Sequence, residues 1–447
     1  MLFKNNDQII NNGQTTELKK IRRDILDIFS AGIDAVDPYK SVLSKLRKGI
    51  VNLNSTKLNI SDFENVYLIG FGKASVGMAE AICDSIYIKN GVIITNTSIK
   101  KLLNKNVKTI FASHPIPQQI NIDATDQIIE VIKNCTKNDL LVVLISGGGS
   151  ALLCKPRVKL QSLKKTTDLL LKCGANIKEI NTVRKHISYV KGGQLVTFSQ
   201  CRVVSFIISD VIGDPIEFIA SGPTSPDSTT YKDARDILQK YNILNKVPSS
   251  VMNVIQRGIN GTIPETPKNT HPVFKKVNNI IVANNELACF AAEKKARKLG
   301  YKTKIISNAI SGEARDIGLF LIKKVEYYYK NEKKIMLISG GETTVTIKGF
   351  GKGGRNQEMV LASVRALASK NIVFSSFATD GIDGISDAAG AIADCYTLKK
   401  AEKKGLNPTT FLKNNNSYEF FKKLGDALIS GSTGTNVMDI QILIKIK

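Results

Sequence analysis

The sequence predicts an α/β protein of two domains, each with a largely parallel, doubly wound sheet, flanking a cleft. Three observations carry this expectation. The chain has 447 residues, roughly three times a typical domain of about 150 residues. Short Val/Ile/Leu-rich runs recur without polar alternation, as strands buried on both faces of a parallel sheet require. Amphipathic stretches of helical period lie between those runs, and glycine-rich loops follow several of them.

Taken in order, strands are expected at 66–70, 91–95, 109–112, 140–146 and 202–209, then at 279–283, 302–306, 334–339, 372–378 and 440–446. Helices are expected at 74–88, 123–134, 285–299 and 354–367. The stretch 246–276 holds four prolines and two glycines among polar residues, with a βα pattern on either side. It marks the expected boundary between domains spanning 1–250 and 275–447, and a cleft between two such domains is where a ligand is expected.

Composition narrows the function classes. Hydrophobic residues make up 43% and charged residues 23%, which excludes a disordered chain. No apolar run approaches the roughly 20 residues that span a bilayer. The first twenty residues lack the apolar core of a secretory signal, so no membrane partner and a cytoplasmic location are expected. The net charge is +24, but 51 of the 63 basic residues are lysines spread along the whole length. Without a basic tail or a nucleic-acid motif, no specific nucleic-acid binding is expected; a positive cleft that gathers small anions is. The seven cysteines show no CxxC spacing and the three histidines no metal-ligand spacing, which fits reduced core thiols and argues against zinc.

Several strand ends carry residues suited to chemistry. Gly70, Phe71, Gly72 and Lys73 join a buried strand to a helix, where exposed N–H groups favour anions. The run is neither a Walker A loop nor a GxGxxG fingerprint, and a tight turn with a solvated lysine is the plainer alternative. Ser146, Gly147, Gly148, Gly149 and Ser150 follow the next buried strand; three consecutive glycines suggest backbone wrapped around a phosphate or carboxylate. Asp210 and Asp214 follow another strand, suited either to orienting Mg2+ or a hydroxyl or to capping and turn duty. Ser339, Gly340, Gly341 and Glu342 end a strand, and a glycine-rich loop then leads to Arg355, Asn356 and Gln357. An arginine at a helix N-terminus opposes the helix dipole, and guanidinium is the natural bidentate partner of phosphate. Asp380 and Asp383 lie in a run of Asp-Gly pairs suited to a metal, to a ribose hydroxyl, or simply to turns. Thr433 and Asn436, in a small-residue loop before the last strand, suit a nucleotide lining or a surface turn. No Ser-His-Asp or Cys-His set is evident. Glycine loops, two cations and several carboxylates together point to phosphoryl transfer, which needs mainly positioning and charge neutralisation.

The ordered series GFGKAS, SHPIP, SGGGSAL, NTVRKHISYVKGGQL, SDVIGD with ASGPTSPD, SGGETTV, GKGGRNQE, TDGIDG with DAAGA, and GSTGTNV resembles the glycerate 2-kinases, whose C-terminal part is the MOFRL domain. The resemblance runs from about residue 18 to 446. It implies ATP-dependent phosphorylation of D-glycerate at the 2-hydroxyl with a divalent cation such as Mg2+. It further implies an N-terminal Rossmann-like glycerate kinase domain and a C-terminal MOFRL domain. Lys73 and Arg355 match the family's catalytic lysine and arginine. Lys73 would hold the substrate carboxylate or the transferred phosphoryl, and Arg355 would neutralise that phosphoryl. Gly72, the five residues from Ser146 to Ser150, Glu342, Asn356, Thr433 and Asn436 would line substrate and phosphate, and Asp210, Asp214 or Asp380 would orient the metal or hydroxyl. The chain departs from the pattern at Gln118 and Gln119, where an acid is common, and at Ser432, where proline is usual; these bear on loop shape and substrate preference. Small-molecule substrates are the expected partners, and the oligomeric state, a homodimer included, stays open. A hydroxypyruvate reductase is a second reading, disfavoured by the missing GxGxxG. A non-catalytic basic binding protein is a third, disfavoured by the glycine loops and the two cations.

Overall fold

The computed structural model describes residues 2–53, 55–96, 102, 104–329 and 335–445; residues 334 and 446, at the edges of two expected strands, lie outside them. The chain divides into two compact units, Pro38–Val282 and Met1–Asp37 together with Ala283–Lys447. The α/β expectation holds in both, with a different sheet in each.

In the unit Pro38–Val282, six strands lie side by side in the order Val107–Phe111, Asn90–Thr95, Val66–Phe71, Leu140–Ile145, Arg202–Ile208, Val277–Ala283. The first five pair in parallel throughout. Every residue of Val66–Phe71 and of Leu140–Ile145 is buried, the reason these runs carry no polar alternation. Tyr67, Ile69 and Phe71 share a core with Ile128 and Ile132 of the helix Gln119–Lys133. The strand order reverses between Val66–Phe71 and Leu140–Ile145. In an open α/β sheet such a reversal parts the two loops at the carboxyl ends and leaves a crevice there.

Two parts of this unit escaped the sequence reading. A three-stranded antiparallel sheet spans Leu46–Arg47, Ile50–Asn52 and Lys57–Asn59. Four helices, Leu160–Lys172, Ile177–His186, Tyr231–Lys240 and Ser249–Ile259, enclose their own core of Leu163, Leu170, Val183, Leu238 and Val251. The second domain was expected from 275. Instead the strand Val277–Ala283 completes the first sheet beside Arg202–Ile208, because the proline-rich 246–276 stretch is a crossover within this unit rather than a linker.

In the other unit the order is Lys302–Ile310, Ile335–Gly341, Asp439–Lys445, Ile372–Ala378, Gly390–Ala393, Ala427–Leu428. Only the first pair is parallel; the remaining four pairs are antiparallel, so the expected largely parallel sheet is replaced by a mixed one. Two of these pairs come from the last strand, which inserts centrally and runs opposite to both neighbours, and two from the short strands Gly390–Ala393 and Ala427–Leu428. The first residue of the last strand, Asp439, therefore sits opposite Gly341 and Ala378, at the carboxyl ends of the adjoining strands.

Residues 1–37 were expected in the first domain but belong to this unit. The helix Thr16–Ala35 packs on Asn285–Lys298. Its wholly buried Arg22 donates through Nε and Nη2 to Asp394 at 3.1 and 2.6 Å, and through Nη1 to Asp426 at 2.6 Å. Removing one partner of such a pairing leaves charges buried without compensation, so Arg22→Ala is expected to cost roughly 3–5 kcal/mol. Urea unfolding checks this; a loss under about 1 kcal/mol, the size of a surface pair, would contradict it.

Candidate active site

The site residues expected from sequence fall into two clusters, one in each unit. In Pro38–Val282 the loops after Val66–Phe71 and Leu140–Ile145 lock together at the strand-order reversal. Lys73 donates its backbone N–H to the Gly147 carbonyl at 2.9 Å, and Ser146 Oγ accepts the N–H of Ala74 at 3.1 Å. The helix Ser75–Ser85 has no capping side chain of its own, so this serine serves its N-terminus. Gly72, at φ +132°, lies so close to Ser146 that an added Cβ would stand 2.1 Å from Ser146 Oγ. Loop-to-loop approach therefore requires a glycine here.

Ser146, Gly147 and Gly149 are buried in this junction, and Gly149 packs against Ala220 and Phe71. Gly148 and Ser150 are the partly exposed members of the loop. A Cβ on Gly148 would meet the His114 ring at 3.1 Å and the Lys73 stem at 3.5 Å, so lysine, imidazole and glycine backbone border one spot. Burial, with the Lys73 charge adding to it, pushes the His114 imidazole below its ordinary range, which favours its neutral form.

The second cluster forms around the helix Arg355–Leu367. Arg355 donates through Nε and Nη2 to the two oxygens of Asp439 at 2.6 and 2.9 Å, and its Nη1 lies 2.8 Å from Glu342 Oε1. Burial opposes the guanidinium charge, but Asp439 and Glu342 outweigh it and hold its pKa above the usual value. Asp439 is wholly buried; burial pushes its carboxyl up while Arg355 pulls it down. The helix is capped from outside: Asp383 accepts the N–H groups of Asn356 at 3.1 Å and Gln357 at 2.9 Å, besides Gln357 Nε2 at 2.9 Å. Burial pushes Asp383 up to about 6, against those donors. Thus an arginine set against the helix dipole is tolerated because two carboxylates face it.

Asn356, expected to touch substrate, is enclosed; its side chain bonds Ser376 and Asp383 and has no surface to offer a ligand. Thr433 bonds the Thr379 and Asp380 carbonyls through its hydroxyl and N–H respectively, and Asn436 Oδ1 accepts the N–H of Met438 at 3.1 Å; both remain partly exposed. A cavity of about 250 Å3 opens beside Arg355, lined among others by Thr343, Val345, Gly354 and Ile385.

The three aspartates offered as alternatives for a metal or hydroxyl are divided between the units. Asp210 and Asp214 are partly exposed in the first unit, and Asp380, whose carboxylate accepts the Ile382 N–H at 3.1 Å, belongs to the second. Among the described residues no group of three or more His, Cys, Asp or Glu side chains is arranged to hold a metal, and no helix is long and apolar enough to cross a membrane. Sequence reasoning missed Asp439, whose only local signal is an acid opening an otherwise apolar strand, and did not single out His114.

Comparison with known proteins settles the family. Residues 24–256 match a family model described as a domain of unknown function, DUF4147, and residues 335–439 match the MOFRL family. A glycerate 2-kinase of Pyrococcus horikoshii is 44% identical, the match covering 95% of this chain and 97% of that one. A D-glycerate 2-kinase of Thermotoga maritima is 38% identical over 95% of this chain and 98% of its own. The crystal structure of a Thermotoga maritima glycerate kinase superposes with a TM-score of 0.85 at 37% identity, covering 96% of this chain and all of that one. The chain belongs to the glycerate 2-kinase family. It is therefore a kinase with ATP as substrate, which removes the reductase and the non-catalytic binding protein.

In this kinase Asp439 fixes where the Arg355 fork points. Asp439→Asn keeps the shape but forfeits the second charge-assisted bond, and in the role proposed for Arg355 below such misorientation costs roughly 100-fold in rate. Steady-state kinetics should show that fall in kcat at temperatures where the variant stays folded, with a lowered unfolding midpoint from the lost buried charge pair. A variant at wild-type kcat would mean that Arg355 needs no such anchor.

Proposed function

We propose that this kinase transfers the γ-phosphoryl group of ATP to the 2-hydroxyl of D-glycerate, giving 2-phosphoglycerate and ADP. The observation that carries the reading is Arg355, a guanidinium held by two carboxylates at a helix start beside an open cavity, in a chain matching glycerate 2-kinases from end to end. The hydroxyl oxygen attacks the γ-phosphorus, the bond to the bridging oxygen of ADP breaks, and the hydroxyl proton passes to solvent water. Charge spreads over the phosphoryl oxygens in the transition state, so neutralisation and alignment dominate.

In this reading Lys73 takes the transferred phosphoryl group or the substrate carboxylate, and Arg355 neutralises the phosphoryl oxygens. Gly148 and Ser150 supply the accessible part of their loop; Glu342, Thr433 and Asn436 line the nucleotide side. Gly72, Ser146, Gly147, Gly149 and Asn356 support these groups from behind. Mg2+ suits the carboxylate oxygens of Asp210, Asp214 or Asp380 in donor type. It retains waters and phosphate ligands, so a protein cage of three acids is not required; when bound, it screens the phosphate charge. Seven unpaired cysteines fit a reducing cytoplasm.

The test supplies ATP, Mg2+ and D-glycerate and couples product through enolase, pyruvate kinase and lactate dehydrogenase, without added phosphoenolpyruvate. NADH should fall without phosphoglycerate mutase. A signal that needs the mutase would identify 3-phosphoglycerate and overturn the regiochemistry, and silence in both arms would overturn the acceptor.

A further inference from the structure

The helix Ile177–His186 ends in three consecutive basic residues whose environments differ sharply. Lys185 Nζ lies 3.1 Å from Asp227 Oδ1, and His186 Nε2 lies 3.0 Å from Glu265 Oε1. Arg184 has no acid partner among the described residues. Its Nη2 donates to the Ser150 carbonyl at 3.1 Å, and its Nε is buried with no partner at all. Lys191, only 2% exposed, donates to the same Ser150 carbonyl at 2.6 Å and to the Leu153 carbonyl at 3.1 Å, again with no carboxylate in reach.

Two cations thus converge on one carbonyl of the 146–150 loop without a counter-charge. Buried charges are ordinarily paired, because desolvation is costly and a carbonyl dipole offsets it only in part. Burial, aided by the neighbouring Arg184 charge, pushes the Lys191 ammonium down to about 7. Capping the carbonyl end of the short helix Gly149–Leu152 accounts for Lys191, whose ammonium donates to two carbonyls there. It does not account for Arg184, which stays partly exposed with donors to spare.

Ser150 is also partly exposed, and its hydroxyl is fixed by a chain running to Ser221 at 2.6 Å and on to Asn181 at 3.0 Å. Ser221 holds a left-handed conformation, φ 65°, a strain that persists where the surroundings demand it. An anion with coplanar oxygens would match these donors, since a guanidinium fork suits such a group better than an ammonium does.

We propose that Arg184, with the Ser150 side chain beside it, receives the carboxylate of the hydroxy-acid acceptor. Lys191 is a positioning residue behind it that holds the Ser150 carbonyl. This rests on the reading of glycerate as acceptor, and it resolves the role of Lys73: with the carboxylate held at one end of the 146–150 loop, Lys73 at the other end serves the transferred phosphoryl group.

The test compares wild type with Arg184→Met and Arg184→Lys, measuring kcat, KM for D-glycerate, KM for ATP and the unfolding midpoint of each. Losing one member of a desolvated charge pair should raise KM for D-glycerate about 30-fold or more in Arg184→Met. KM for ATP should stay within about threefold on the same grounds, and Arg184→Lys should recover part of the loss. D-Glycerate should raise the unfolding midpoint of wild type but not of Arg184→Met. An unchanged KM for D-glycerate in Arg184→Met, or a rise in both KM values with a falling midpoint, would overturn the assignment in favour of a structural cap. Wild type inert toward D-glycerate would instead sink the acceptor reading, and this assignment with it.

Discussion

Asp439 is fully buried, and both of its oxygens are taken by Arg355. A carboxylate in that position is sustainable only with a charged, two-point partner, and an arginine at a helix start is sustainable only with an acid facing it. Each residue makes the other possible. The mixed sheet follows the same constraint: the last strand runs against its neighbours, so its first residue arrives at their carboxyl ends, where the Gly341–Glu342 and Ala378–Thr379 turns also lie. A parallel last strand would deliver its final residue there and leave Asp439 at the opposite edge.

The first unit reaches a comparable arrangement by a different route. Its strand order reverses between Val66–Phe71 and Leu140–Ile145, and the two loops that leave those strands close on each other through Gly72 and Ser146. That contact is buried, and it leaves Gly148 and Ser150 partly exposed. Lys73 and His114 lie toward Gly148 and Arg184 toward Ser150. A buried junction that presents a few polar groups on its rim is the arrangement that keeps a charge-stabilising site from having to reorganise during reaction.

Much of this was legible in the sequence because it is local. Continuous apolar runs such as 140–145 mark strands covered on both faces, and the glycine loops follow directly in the chain. What stayed illegible is non-local. Asp439 meets Arg355 across 84 residues, and Arg22 meets Asp394 across 372, pairings that leave no periodicity to detect. The antiparallel last strand has the same composition as a parallel one, so its direction could not be read from it. Glycine misled in a specific way: Gly72, Gly340 and Gly354 are small because Ser146, Asn285 and Asp383 press against them. In sequence, that need is indistinguishable from room left for a ligand.

In the proposed reaction Lys73 and Arg355 act in one phosphoryl transfer. The direct measurement is kcat for Lys73→Ala, Arg355→Ala and the double variant, each confirmed folded by its unfolding curve. Groups that work as a unit are strongly non-additive, so each single change should cost roughly 1,000-fold and the double variant about tenfold more at most. Multiplying losses would show two independent contributions, and a single variant near wild-type activity would remove that residue from the reaction.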